Sequence, residues 1–224
     1  MRLLPKLALL FAFTFAASAA TNPFEKEIEA FEAGDKTNPP PSAAILFIGS
    51  SSIRLWTTLA KDLPEYPVIN RGFGGSQIAD SVQYAERIAL PYKPALIVMY
   101  AGGNDINAGK EPATVLSDFK AFVTKIHAAL PETRLTYISI APNPARWSQV
   151  KEVREANRLI EEYTRTDNRL SFINVFPHML GKDGEPRPEI FGKDRLHMNP
   201  TGYELWTGLV RDHLQKLKAP KRPS

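Results

Sequence analysis

The chain has 224 residues, no cysteine and a formal charge of +4. The missing cysteines exclude disulfides, thiolate chemistry and a lipidated cysteine anchor. So mild a positive balance gives no electrostatic footprint for nucleic acid, and it shrinks further if Arg2 and Lys6 leave with a leader.

In chain order, residues 1–20 carry Arg2 and Lys6, an apolar run from Leu7 to Phe15 and small residues ending at Ala20. This is the pattern of a secretory signal peptide, with an apolar run too short to span a bilayer. The expectation is a secreted or periplasmic protein with no membrane span in its mature chain. Residues 21–42 read as a short amphipathic helix, Phe24 to Ala33, and a Pro-rich connector, "NPPPS". From 43 to 217 the pattern alternates. Strand-length apolar runs lie at Ala44 to Ile48, Pro67 to Asn70, Ala95 to Tyr100, Arg134 to Ile140 and Leu170 to Val175. Helical periodicity fills Ile53 to Ala60, Ile78 to Ala89, Ala113 to Leu130, Gln149 to Thr166 and Pro200 to Lys216. Residues 218–224 form a basic tail, and the run Lys216, Lys218, Lys221 and Arg222 is expected to fray into solvent.

Strands alternating with helices of this length imply right-handed crossovers and a parallel sheet covered on both faces. A strand as uniformly apolar as "ALIVMY" fits a sheet interior. The expected architecture is a single three-layer α/β domain.

Ligand sites in such sheets lie beyond the carboxyl ends of the strands. Three polar, glycine-containing turns fall there: Gly49-Ser50-Ser51-Ser52, Asn70-Arg71-Gly72-Phe73-Gly74-Gly75, and Gly102-Gly103-Asn104-Asp105. A fourth segment, "KDRLHMNPTGYELW", places Asp194 three residues before His197, ahead of the last helix. On a tight turn that spacing lets the carboxylate take the imidazole Nδ1–H and aim Nε2 outward. A serine of the first turn, activated by that pair, makes an acyl-transfer set. The side-chain amide of Asn104, the backbone N–H of Gly75 and the serine's own N–H are candidate donors to the oxyanion.

Gly49-x-Ser51, the glycine turn at Gly75, Gly102-x-Asn104-Asp105 and Asp194-x-x-His197 together resemble the four sequence blocks of the SGNH, or GDSL, hydrolases. The spacing is most similar to the branch that holds platelet-activating-factor acetylhydrolase subunits and carbohydrate acetylesterases. The resemblance runs from Ile45 to Trp206. It implies a flavodoxin-like five-stranded parallel sheet, ordered 2-1-3-4-5. It implies Ser51 as nucleophile, Ser51 N–H, Gly75 and Asn104 as oxyanion hole, and Asp194 with His197 as the acid/base pair. One departure stands out: Ser50 and Ser52 occupy places where the family usually has Asp and Leu.

Other readings of these motifs are weaker. The serine turn lacks the lysine of a phosphate-binding loop, and Ile53 stands where a nucleophile elbow of the G-x-S-x-G type needs glycine. Asp194 and His197 lack a third ligand at metal spacing, so no metal and no cofactor are expected. Gly72 reads as part of a tight turn, and Asp105 as a structural carboxylate. His127, His178 and His213 read as structural or solvent-facing. Arg54 and Trp56 belong to core or helix surface. Residues 142–147, "PNPARW", follow the fourth strand on the active edge, so Arg146 and Trp147 are candidates to contact substrate. The expected function is an exported esterase for short acyl groups, acetyl above all, on small-molecule or glycan esters. A glycan O-acetyltransferase, a lysophospholipase-type activity and a non-catalytic glycan-binding or structural domain are the alternatives.

Overall fold

The computed structural model describes residues 23–41 and 43–222. The expected leader, residues 1–20, lies outside the described residues. Five strands, β1 (Ile45–Gly49), β2 (Val68–Gly72), β3 (Leu96–Tyr100), β4 (Arg134–Ile138) and β5 (Leu170–Ile173), form one parallel sheet in the order β2-β1-β3-β4-β5. This is the expected fold. Among the described residues the α-helices are α1 (Glu25–Thr37), α2 (Ser51–Arg54), α3 (Leu59–Asp62), α4 (Ile78–Ile88), α5 (Gly103–Asn107), α6 (Pro112–Ala129), α7 (Val150–Thr164) and α8 (Pro200–Lys216).

The apolar runs make central strands because both of their faces are covered. Alternate residues of β1 and β3 point to opposite sides of the sheet. Leu46, Ile48, Ile97 and Met99 join the cluster under α4, α6 and α7. Ile45, Phe47, Leu96, Val98 and Tyr100 join the cluster under α8 and the α2–α3 crossover. Helix α6 starts with Pro112 at its first position and buries Val115, Phe119, Phe122, Val123 and Ile126 on one stripe.

Beyond shifts of a few residues in element ends, three departures from expectation trace to contacts between segments distant in the chain. The helix expected over Ile53 to Ala60 is two short helices, α2 and α3, because other groups claim the atoms between them. Asn70 Nδ2, on β2, donates to the carbonyls of Ile53 (2.7 Å) and Trp56 (3.4 Å). Trp56 is drawn into the core, its indole N–H and the Thr58 hydroxyl both donating to Asp62 Oδ2 at 2.7 Å. Strand β2 runs on through Arg71 and Gly72, paired with Ile48 and Gly49, so Gly72 is not in a turn. It is glycine for another reason: a Cβ there would lie 2.2 Å from the Arg54 nitrogen, inside the packing of β2 on α2. Residues 219–222 of the expected basic tail fold back instead of fraying, with Ala219 buried and Arg222 donating from its backbone N–H to Glu65 O (2.9 Å) and from Nε to Tyr66 O (3.1 Å).

Helix α1 packs on α4 beside the carboxyl edge of β2. Ile28 is fully buried and Phe24 meets Phe73 edge to face at 5.2 Å. Asp35 pairs with Arg71, whose guanidinium also lies over the rings of Phe31 and Tyr92. Arg87 bridges Glu25 and Glu32. Glu27 reaches the glycine turn, accepting the Gly74 N–H at 2.9 Å. Among the described residues no helix is long and apolar enough to cross a membrane.

Candidate active site

The turn after β1 is built by crowding. Gly49 has φ +136°, and a Cβ there would sit 1.9 Å from the carbonyl oxygen of Tyr100. Only glycine lets β1 run this close to β3 before the chain turns. Ser50 N–H then bonds to that same Tyr100 oxygen at 2.9 Å, and Ser51 opens α2. As the first helical residue, Ser51 has no intrahelical acceptor for its N–H. Its helix is only four residues long, so the dipole invoked from sequence adds little here.

His197 and Asp194 arrive on an irregular loop ahead of α8. Phe191 and Met198 form an isolated antiparallel bridge, and Gly192 N–H donates to His197 O at 2.8 Å. Asn199 caps α8 through Gly202 N–H (3.1 Å), while its Nδ2 donates to Glu189 O (2.8 Å) and Phe191 O (3.1 Å). Inside this frame Asp194 Oδ1 accepts the backbone N–H groups of Leu196 and His197, each at 3.0 Å. Its Oδ2 lies 2.7 Å from His197 Nδ1. The His197 side-chain bond, then the two backbone donors, hold the Asp194 carboxyl down at about 2. On the other side of the ring, His197 Nε2 lies 2.8 Å from Ser51 Oγ. The ring thus joins a hydroxyl and a carboxylate that are far apart in the chain, with Nδ1–H donating to Asp194 and Nε2 free to accept from Ser51.

A narrow cleft opens over these groups, lined among others by Ser50, Ser52, Tyr100, Asn104, Arg146 and Leu196. Tyr100 and Trp206 pack edge to face at 4.8 Å beneath it. Asn104 lies on α5, whose cap Gly102 has φ +102°. Asn104 lines the cleft, and its Nδ2 donates to Ser76 O at 3.0 Å, which uses one of the two amide hydrogens. Gly75, with φ +80°, sits on the exposed rim rather than among the lining residues. Its N–H has no acceptor among the described residues, and the Ser76 bond to Asn104 ties its loop to α5.

Of the two candidate contact residues, Arg146 lines the cleft and Trp147 does not. Trp147 lines a neighbouring apolar cleft with Val150, Val153 and Phe176. Asp105 is fully buried and supports the loops: it takes the Ile78 N–H and pairs with Lys110 Nζ at 2.9 Å. Burial pushes its pKa up, and the Lys110 ammonium opposes that. His127 Nε2 lies 3.0 Å from Thr133 O, and His178 is exposed. His213 Nε2 lies 3.0 Å from Ser171 Oγ; burial first, then Lys216, brings its pKa down to about 4. Among the described residues no three His, Asp or Glu side chains gather as a metal-ligand set.

Sequence reasoning missed several supports of the site. The last helix is read correctly from Pro200, but the Asn199 before it is not singled out as the residue that ties the helix to the site loop, although Asn-Pro is a helix-start signal. Nothing in the sequence announces Asn157, which reaches from α7 to both the N–H and the C=O of Ile140 (2.7 and 2.9 Å) and fixes the segment after β4.

Fold, cleft and loop-borne polar groups define a three-layer α/β hydrolase of the carboxylic ester class. Residues 47–205 match the model of the GDSL-like Lipase/Acylhydrolase family, and the chain belongs to that family. Solved structures of the same fold include a GDSL-like lipase from Bacteroides thetaiotaomicron, with TM-score 0.74 and 19% identity, covering 85% of this chain and 98% of that one. A carbohydrate esterase family 3 protein from Talaromyces cellulolyticus gives TM-score 0.61 and 14% identity over 77% of this chain and 96% of that one. An acetyl esterase gives TM-score 0.60 and 15% identity over 77% and 96%. No curated protein sequence matches the chain.

Proposed function

We propose that this protein is an exported serine esterase that removes short acyl groups, acetyl above all, from small-molecule or glycan esters, with O-acetylated carbohydrate as the first substrate class. One observation carries the reading: His197 stands 2.8 Å from Ser51 Oγ on one side and 2.7 Å from Asp194 on the other. In this scheme Ser51 Oγ attacks the acyl carbonyl as His197 Nε2 takes its proton. The oxyanion is met by the N–H groups of Ser51 and Gly75 and by the Asn104 amide. His197 returns the proton to the departing alcohol, leaving an acyl-Ser51 ester. It then deprotonates water, which attacks that ester and releases the acid.

The small cleft, with Leu196, Met198 and Phe191 on its wall, supports a short acyl group. The acetyl and carbohydrate esterases among the structural neighbours agree with this substrate class. The leader-like residues 1–20 support export. The test is release of p-nitrophenol from its acetate ester by the purified protein. Ser51→Ala is expected to lower kcat by on the order of 10⁴-fold or more with an unchanged circular dichroism spectrum. If Ser51→Ala turns over normally, or Ser50→Ala or Ser52→Ala is the inactive variant instead, the assignment of the nucleophile is wrong.

A further inference from the structure

The cleft contains a cation with no counter-charge. Arg146 sits half-buried on the wall after β4, and among the described residues no carboxylate pairs with it. Its Nη1 donates instead to two carbonyl oxygens of α5, Asn104 Oδ1 at 3.0 Å and Gly103 O at 3.2 Å. Its own backbone is pinned, with the N–H bonded to Asn143 Oδ1 at 2.9 Å, and the preceding Ala145 N–H donates to Arg195 O at 3.0 Å on the loop that carries His197.

These contacts fix the direction of an amide. Asn104 Oδ1 faces a pure donor and Nδ2 faces a pure acceptor, Ser76 O, so turning the amide over would set an NH₂ against a guanidinium and an oxygen against an oxygen. A guanidinium on Oδ1 also polarises the amide and strengthens its remaining N–H as a donor. Burial pulls Arg146 down from the usual arginine range, as expected for a cation held away from water without a partner. The negative charge it lacks would appear when a carbonyl oxygen in the cleft becomes an oxyanion, so its stabilisation falls on the transition state rather than on bound ester.

We infer that Arg146 is a positioning residue that orients and polarises the Asn104 amide for the oxyanion, not an anchor for an anionic substrate. This rests on the serine-esterase reading. The competing use of the same side chain is recognition of a carboxylate or phosphate on the substrate, since Nε and Nη2 make no bond to the described residues.

The test is a double-mutant cycle on an uncharged acetyl ester and on an acetyl ester that carries a carboxylate. Arg146→Ala is expected to lower kcat on the order of 100-fold on both, with KM changed less than about 3-fold. Arg146→Lys, which keeps one charged donor within reach, should recover part of that loss. In an Asn104→Ala background Arg146→Ala should cost nothing further. Losses that multiply in the double variant, or a rise in KM confined to the carboxylate ester, would overturn the inference while leaving the esterase reading intact. Absence of any Ser51-dependent hydrolysis by the wild type would overturn both. If Arg146→Ala lowers the melting temperature, Arg146→Gln and Arg146→Lys, compared on kcat against KM, carry the same decision.

Discussion

The two halves of the candidate catalytic set are held in opposite ways. Ser51 hangs from the buried centre of the sheet: β1 is covered on every residue, and Gly49 leaves no room for the turn to shift. Asp194 and His197 ride on a loop without regular structure, their side chains 52% and 28% exposed, held by local hydrogen bonds and by Asn199. The hydroxyl therefore borrows its precision from the core. The imidazole gets its aim from a few bonds made by its own neighbours. Damage to the β1 support beneath Ser51 should register as lost stability, and damage to the hydrogen bonds of the loop as lost activity in an intact fold.

The largest expected effect tests the loop. Asp194→Asn keeps the shape but removes the charge and favours the wrong imidazole tautomer, so kcat/KM should fall by on the order of 10⁴-fold while the melting temperature stays nearly constant. A loss of only a few-fold would mean that the backbone bonds, not the carboxylate, set the ring. Gly49→Ala tests the core side. Strain at positive φ and a clash with β3 should lower the unfolding free energy by about 3 kcal/mol or more, read from denaturant melts. Wild-type stability in that variant would show that the Ser51 turn is softer than its contacts indicate.

Acid separates the two regions at a smaller scale. On the loop, the Asp194 carboxyl is held at about 2 and stays charged from neutral pH down to about pH 3, so its own protonation should remove no activity over that range. Stability should decline over a different group. His213 is depressed to about 4 in the fold, whereas an unfolded chain takes up that proton near about 6.5. Stability present above about 6.5 is thus lost as pH falls toward 4. His213→Gln should flatten that slope in urea midpoints measured at pH 7 and pH 5, and an unchanged slope would move the effect elsewhere.

Much of this was legible in the sequence where a residue's role follows from its immediate neighbours. The uniformly apolar run at 95–100 had to be a central strand, and the Asp194-x-x-His197 spacing predisposed the pair to meet. What could not be read depends on partners distant in the chain. Asn70 breaking the first crossover helix, Gly72 packed on Arg54, and Arg146 bonded to Asn104 are contacts between segments that no local period encodes. Gly75 shows the middle case: its turn was visible, but its place on the rim rather than in the cleft wall was not.

Helix α1 lies ahead of residue 47, where the family match begins, yet Glu27 holds the Gly74 N–H one residue before the candidate donor Gly75. A recombinant fragment trimmed to the family boundary would retain every residue assigned to chemistry and still lose an outer buttress of the loop beside them. Domain limits drawn from shared motifs alone would therefore undercount the working parts of this enzyme.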